Sequence, residues 1–206
     1  MNIDNIIYIL VLIYSIILHE IAHGYVAYRE GDNTAKWAGR LTLNPLPHID
    51  IIGSIIVPIA TYISTGGAMG WAKGVPYNPH MLRGKYSEAK VAAAGVITNF
   101  LIAIISAFIL YFSKGVDNIA FNIINYVLIY AIIINISLGI FNLLPLPPFD
   151  GLRIITSLFP NRTRGLMQMI DNNATVYLLV SVYIAYNLFA YISPLISYLV
   201  SALLTL

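Results

Sequence analysis

Four stretches of this chain, residues 5–28, 90–112, 120–144 and 175–204, are almost wholly apolar. As a helix rising about 1.5 Å per residue, the first would be roughly 36 Å long, enough to cross a hydrocarbon core of about 30 Å. The other three are comparable in length, and Pro194 is a candidate kink in the last. With 59% apolar and only 10% charged residues, the chain departs far from the soluble norm of about a quarter charged. The expected fold is an all-α polytopic membrane protein, with about four full transmembrane helices forming one domain over residues 1–206.

Residues 51–64 fit that scheme less simply. The stretch is short for a span and carries Gly53 and Pro58. After it, GGAMGWAKGVPYNPH (66–80) is rich in glycine and proline, which favours turns or extended backbone over helix. Such backbone is tolerated at membrane depth only where protein or a watery cavity satisfies it. A re-entrant segment followed by an extended membrane-associated loop is therefore expected. The first apolar stretch lacks a basic leader and a small-residue cleavage site, so it is expected to be retained.

Inside the first apolar stretch lies HEIAH, residues 19–23. His19 and His23 are four apart, so on a helix they share a face and can reach one metal ion, with Glu20 beside them. In zinc hydrolases of this pattern the carboxylate takes a proton from water that the ion has acidified to a pKa of about 7. A bare HExxH also arises by chance in soluble helices. Here each ionisable group costs roughly 2 kcal/mol or more to insert in lipid, which makes a functional, bundle-facing role the default. Cysteine is absent, so any metal must use His, Asp or Glu.

A catalytic zinc usually has three protein ligands and an open position. Asp150 in NLLPLPPFDG (142–151) is the best third ligand, because Pro145, Pro147 and Pro148 end the preceding helix and Gly151 frees the backbone beside it. Asp50, with His48, in NPLPHID is the rival, and both are assigned to outer-shell or boundary roles; His80 reads as a loop histidine. Both the later half of the first helix and the later end of the third must face one side for the ligands to meet. That requires residues 51–64 to turn back instead of crossing. Under this topology Arg29, Lys36, Arg40, Lys73, Arg83, Lys85 and Lys90 share a side with Arg153, Arg162 and Arg164, against Lys114 alone opposite. The positive-inside rule then puts the basic loops and the active site on the cytoplasmic side.

HEIAHG, AGVITN and NLLPLPPFDG, with GRLTLNPLPHIDIIG and GWAKGVPYNPHMLR, resemble the site-2 protease family of intramembrane zinc metalloproteases over residues 15 to about 155. The resemblance implies one Zn²⁺ per chain held by His19, His23 and Asp150, with Glu20 as general base. It also implies Asn142 and Asn99 as polar groups near the substrate carbonyl or oxyanion. Val96 stands where many relatives have proline, which questions the local shape of that helix. No PDZ or CBS sequence is seen, so a compact, standalone member is expected.

The function implied is hydrolysis of peptide bonds in or near transmembrane segments, within the lipid bilayer of a prokaryotic plasma membrane. Residues 66–79 could pair with an unwound substrate by strand addition. Trp37, Trp71 and the many tyrosines suit interface or packing positions. A formal net charge of +2 with scattered basic residues gives no nucleic-acid surface. A metal-ion or solute transporter, an inactive scaffold, and an iron oxygenase using the same His–His–carboxylate set are the alternatives. The second and fourth apolar stretches offer no ionisable group in their interiors, and the third offers Asn122, Asn125 and Asn135 but no charge. Glu20 beside the ligand pair favours hydrolysis.

Overall fold

The computed structural model describes residues 3–59, 63, 70–113 and 119–205, which are helical and loop-connected without a strand among them. Helix α1 runs Ile3–Arg29 and is followed by the short α2, Thr34–Trp37. Helix α3 spans Ser87–Phe112, α4 Ile119–Asn142, α5 Asp150–Leu158, α6 Pro160–Asn172 and α7 Ala174–Thr205. Four of these, α1, α3, α4 from Ile123 and α7 to Ala202, are long and apolar enough to cross a membrane. The chain is an integral membrane protein of the all-α polytopic class.

Its exterior is rich in large apolar side chains. Ile9, Leu10 and Ile13 of α1, Leu101, Ile104 and Phe108 of α3, and Leu179, Tyr183 and Tyr191 of α7 all face outward. In water such a surface would aggregate, whereas in lipid it is solvated by acyl chains. Helix α3 is central and packs against α1, α4, α5 and α7. Its buried side is built of small residues, Ala89, Ala92, Ala94 and Gly95, which let neighbouring backbones approach closely. The helix passes unbroken through Val96, which is buried, so the missing proline leaves no break there.

An apolar cluster of Leu110, Leu128, Ile132, Ile196 and Val200 joins α3, α4 and α7 at one end of the bundle. The other end is polar, with Ser15, His19, Asn99, Asn135 and Asp150 all buried.

The segment after Asp50 forms a π-helical turn at Ile52–Ile56, with Asp50 Oδ1 accepting the Gly53 N–H at 2.7 Å. Trp71 N–H then donates to Gly53 O at 2.9 Å, and Ser54 Oγ donates to Trp71 O at 2.9 Å. A Cβ on Gly53 would lie 2.2 Å from the Trp71 ring, so only glycine admits this approach. The chain therefore leaves near residue 53 and is back beside it by residue 71, as expected of a segment that does not cross. Residues 60–62 and 64–69, which include parts of the expected re-entrant segment and of the expected extended loop, lie outside the described residues.

Two helices were not expected from sequence. Residues 150–172, between the last two spans, form α5 and α6. Gly151 serves close packing here, because a Cβ would meet Leu143 O at 2.2 Å.

Candidate metal centre

Three side chains meet where α1, α3 and α5 converge. His19 and His23 sit one turn apart on α1, and Asp150 is the first residue of α5, placed there by the turn that follows α4. Their ligand atoms all lie within 4.8 Å of one another. His19 Nε2 and His23 Nε2 are 3.0 Å apart, and each is 3.2 Å from Asp150 Oδ2. Ligands about 2.0–2.1 Å from a tetrahedral zinc are separated by roughly 3.3 Å, close to these edges.

The hydrogen bonds behind the imidazoles say which atoms they present. His19 Nδ1 donates to Asn99 Oδ1 at 2.5 Å, and His23 Nδ1 donates to the backbone carbonyl of Val91 at 2.7 Å. With its proton on Nδ1, each neutral ring turns an Nε2 lone pair toward the other and toward Asp150. Asp150 Oδ2 is buried without a hydrogen-bond donor. Two lone pairs and a carboxylate oxygen converging in a dry pocket repel unless a cation lies among them. The donor set fits a divalent metal with nitrogen and oxygen ligands.

Packing makes the geometry possible. A Cβ on Gly95 would come 2.5 Å from His19 Cε1 and 2.5 Å from His23 Nε2. Glycine at 95 is what lets α3 lie flat beneath the imidazole pair. The AGVITN stretch thus carries two site residues, Gly95 and Asn99.

Glu20 lies beside the pair, and its Oε2 accepts the Val75 N–H at 2.8 Å. Residues 71–78 run extended past it and are held through their backbone. Lys73 N–H donates to His48 O at 2.9 Å, the Arg40 guanidinium donates to Lys73 O at 2.5 Å, and Asp32 Oδ2 accepts Asn78 N–H at 2.5 Å. Burial would raise the Asp32 carboxyl, but hydrogen bonds from Thr34 and Asn78 outweigh it and hold it below its usual range. Arg40 and Asp32 are both buried and were not singled out as site residues from sequence. Their only sequence signal is a charged residue flanking the motif-bearing stretches.

The remaining sequence candidates are not among the three residues that gather at the metal point. Asn99 is 0% exposed, its oxygen accepting from His19 and its NH₂ donating to Asn135. Asn142 ends α4 with Nδ2 donating to Leu138 O at 2.9 Å. His48 Nε2 bonds Thr42 O at 3.0 Å, and Asp50 caps the turn at Gly53. These two residues shape the loop under the extended segment and are not part of the three-residue metal group.

This combination, imidazoles and a carboxylate gathered around one point inside a lipid-length helix bundle, defines a polytopic membrane protein with an internal metal centre. The chain belongs to peptidase family M50, whose family model matches residues 7–186. It is 37% identical over 185 residues to "Putative zinc metalloprotease YwhC" of Bacillus subtilis (strain 168), covering 84% of this chain and 78% of that protein. It is 28% identical over 138 residues to "Putative zinc metalloprotease Rip2" of Mycolicibacterium smegmatis, covering 66% of this chain and 51% of that one. With "Zinc metalloprotease MJ0392" of Methanocaldococcus jannaschii it shares 27% identity over 154 residues, 74% of this chain and 34% of the relative. No solved structure gives a significant match. The chain is accordingly a membrane metalloprotease, and its cofactor is zinc.

Proposed function

We propose that this protein, as a single catalytic domain, hydrolyses peptide bonds in or near the transmembrane segments of membrane protein substrates, with zinc held by His19, His23 and Asp150. The observation that carries this reading is the convergence of those three ligands inside a lipid-length helix bundle, with Glu20 adjacent on the same helix. Zinc, when bound, polarises the scissile carbonyl and lowers the pKa of water to about 7. Glu20 receives the water's proton and passes it to the leaving amine. The Val75 N–H occupies Oε2 and leaves Oε1 for that exchange. Asn142, with one amide hydrogen committed to Leu138, offers the other to the developing oxyanion.

A substrate helix must unwind before attack, because its carbonyls are used in its own hydrogen bonds. The extended segment suits a partner for the unwound strand. The N–H groups of Trp71, Lys73 and Val75 all point into the protein, so residues 72 and 74 between them present their peptide groups to the opposite edge. Among the described residues that edge carries only a 3.4 Å contact of Arg40 with Gly74 O, which suits strand addition. Pro76 lacks an N–H and would end the pairing. Proline at 72 or 74 should slow cleavage without loss of zinc; unaffected turnover would exclude this role.

The basic loops on the metal side support an orientation with the site at the cytoplasmic face of a prokaryotic plasma membrane. Because the chain has no cysteine, one introduced at position 66 reports its side alone, and labelling only from outside would refute this orientation.

The decisive experiment is cleavage of model transmembrane substrates by purified protein alongside zinc analysis, wild type against Glu20→Gln. The variant should keep its zinc and lose cleavage by on the order of 10²–10⁴-fold, the usual contribution of a general base. Unchanged cleavage would end the proposal.

A further inference from the structure

Asn135 is 0% exposed within α4, and its side-chain hydrogen bonds go to Asn99, Ser15 and Ala131 instead of to the three ligands. Its Nδ2 donates to Ala131 O one turn back at 2.9 Å and to Ser15 Oγ of α1 at 2.8 Å. Its Oδ1 accepts from Asn99 Nδ2 of α3 at 2.8 Å. Asn99 Oδ1 in turn accepts from His19 Nδ1 at 2.5 Å.

The direction of this chain of bonds is fixed from one end. A backbone carbonyl can only accept, so Ala131 O requires Asn135 to turn its NH₂ toward it and its oxygen toward Asn99. Asn99 must then offer its NH₂ to Asn135 and its oxygen to His19. The His19 proton is thereby held on Nδ1, and Nε2 keeps its lone pair toward the metal point.

We propose that Asn135 is a positioning residue, which with Asn99 relays the hydrogen-bond polarity of the Ala131 carbonyl across two helices and locks His19 in its metal-binding tautomer. His23 reaches the same state by a shorter route, directly from Val91 O at 2.7 Å. The two ligands on one helix are thus set separately, one from α3 and one from α4 through α3. Asn135 therefore matters to the metal without touching it. The inference rests on the zinc reading given above.

The test is the zinc dissociation constant of the full chain in detergent, measured by chelator competition, together with the melting temperature of each variant. Asn135→Leu preserves volume but removes the acceptor that orients Asn99. It should weaken zinc binding by about 10–100-fold, the usual effect of losing an outer-shell partner. Asn135→Asp, kept as a neutral carboxylic acid by burial, retains an acceptor for Asn99 and a donor for Ala131 O. It should bind zinc within about threefold of wild type, well inside that outer-shell range. A residue that only glues helices would lower the melting temperature in both variants and leave zinc affinity alike. Wild-type affinity in Asn135→Leu overturns the relay, as does an Asp variant as weak as the Leu variant. If the Leu variant does not fold, the Asp variant decides alone, and a tenfold loss in it is fatal. A wild-type protein that binds no zinc removes the metal reading itself, so the two failures are told apart.

Discussion

At one end of the bundle α3 meets α4 and α7 through Leu110, Leu128, Ile132, Ile196 and Val200, side chains indistinguishable in polarity from the lipid outside. At the other it meets α1 and α4 through Gly95, Asn99 and Asn135, with nearly every polar atom committed to a named partner. Lipid gives no hydrophobic drive to associate, so the first end is held by packing alone. The polar end adds directional bonds, and a lost partner there leaves a buried group unsatisfied. One end tolerates change of shape within limits, whereas the other tolerates little change of chemistry.

Substitutions at each end should separate these modes. The largest effect is expected from Asp150→Ala, which leaves two imidazole lone pairs facing each other. Zinc affinity should fall by more than the 10–100-fold typical of outer partners, and cleavage should vanish, as metal analysis and substrate assays would show. A variant that retained full zinc would move the ligand set elsewhere.

Gly95→Val comes next, because its first carbon already collides with both imidazoles. Overpacking of about 1–3 kcal/mol is expected, with zinc lost before the fold. At the apolar end, Leu110→Ala should lower stability by about 1–2 kcal/mol, at or below the low end for large-to-small changes, since its methylenes exchange one apolar medium for another. Zinc content and turnover per folded molecule should not change. A loss of zinc there would show that the two ends are coupled.

The smallest effect is a pH dependence at Asp32. Its carboxyl is lower in the folded protein than free, so its stabilisation is complete above the free value of about 3.9 and fades as pH falls through the lower folded value. Hydrogen exchange at Asn78 should accelerate in that acid range, and Asp32→Asn should show the acceleration at neutral pH.

Much of the site could be read in advance because its chemistry is local in sequence. HEIAH states its own helical face, and the prolines before Asp150 announce a helix end. The four spans followed from hydropathy. What escaped notice was set by tertiary contact. Asn135 looked like one more asparagine beside Asn122 and Asn125, since nothing in its neighbours reveals that α3 brings Asn99 against it. Arg40 read as one unit of loop charge, although its guanidinium is buried on the carbonyls of 73 and 74. The motif marks Asn99 as polar and near the site, but a motif does not say that its amide oxygen faces His19 and its NH₂ faces Asn135. Helices α5 and α6 do not stand out in the sequence because both are short and amphipathic, far below the length of a membrane span, and Pro160 divides them.

The extended segment is gripped by its peptide groups: His48, Glu20, Asp32 and Arg40 hold main-chain atoms of residues 73–78 and none of their side chains. A mutational library across this stretch should therefore read like a comb, intolerant of proline at 71, 73, 75 and 78, yet permissive toward side-chain variety at exposed Lys73. Homologues can drift in composition there while the track keeps its course, and what they recognise can change without rebuilding the metal site beneath.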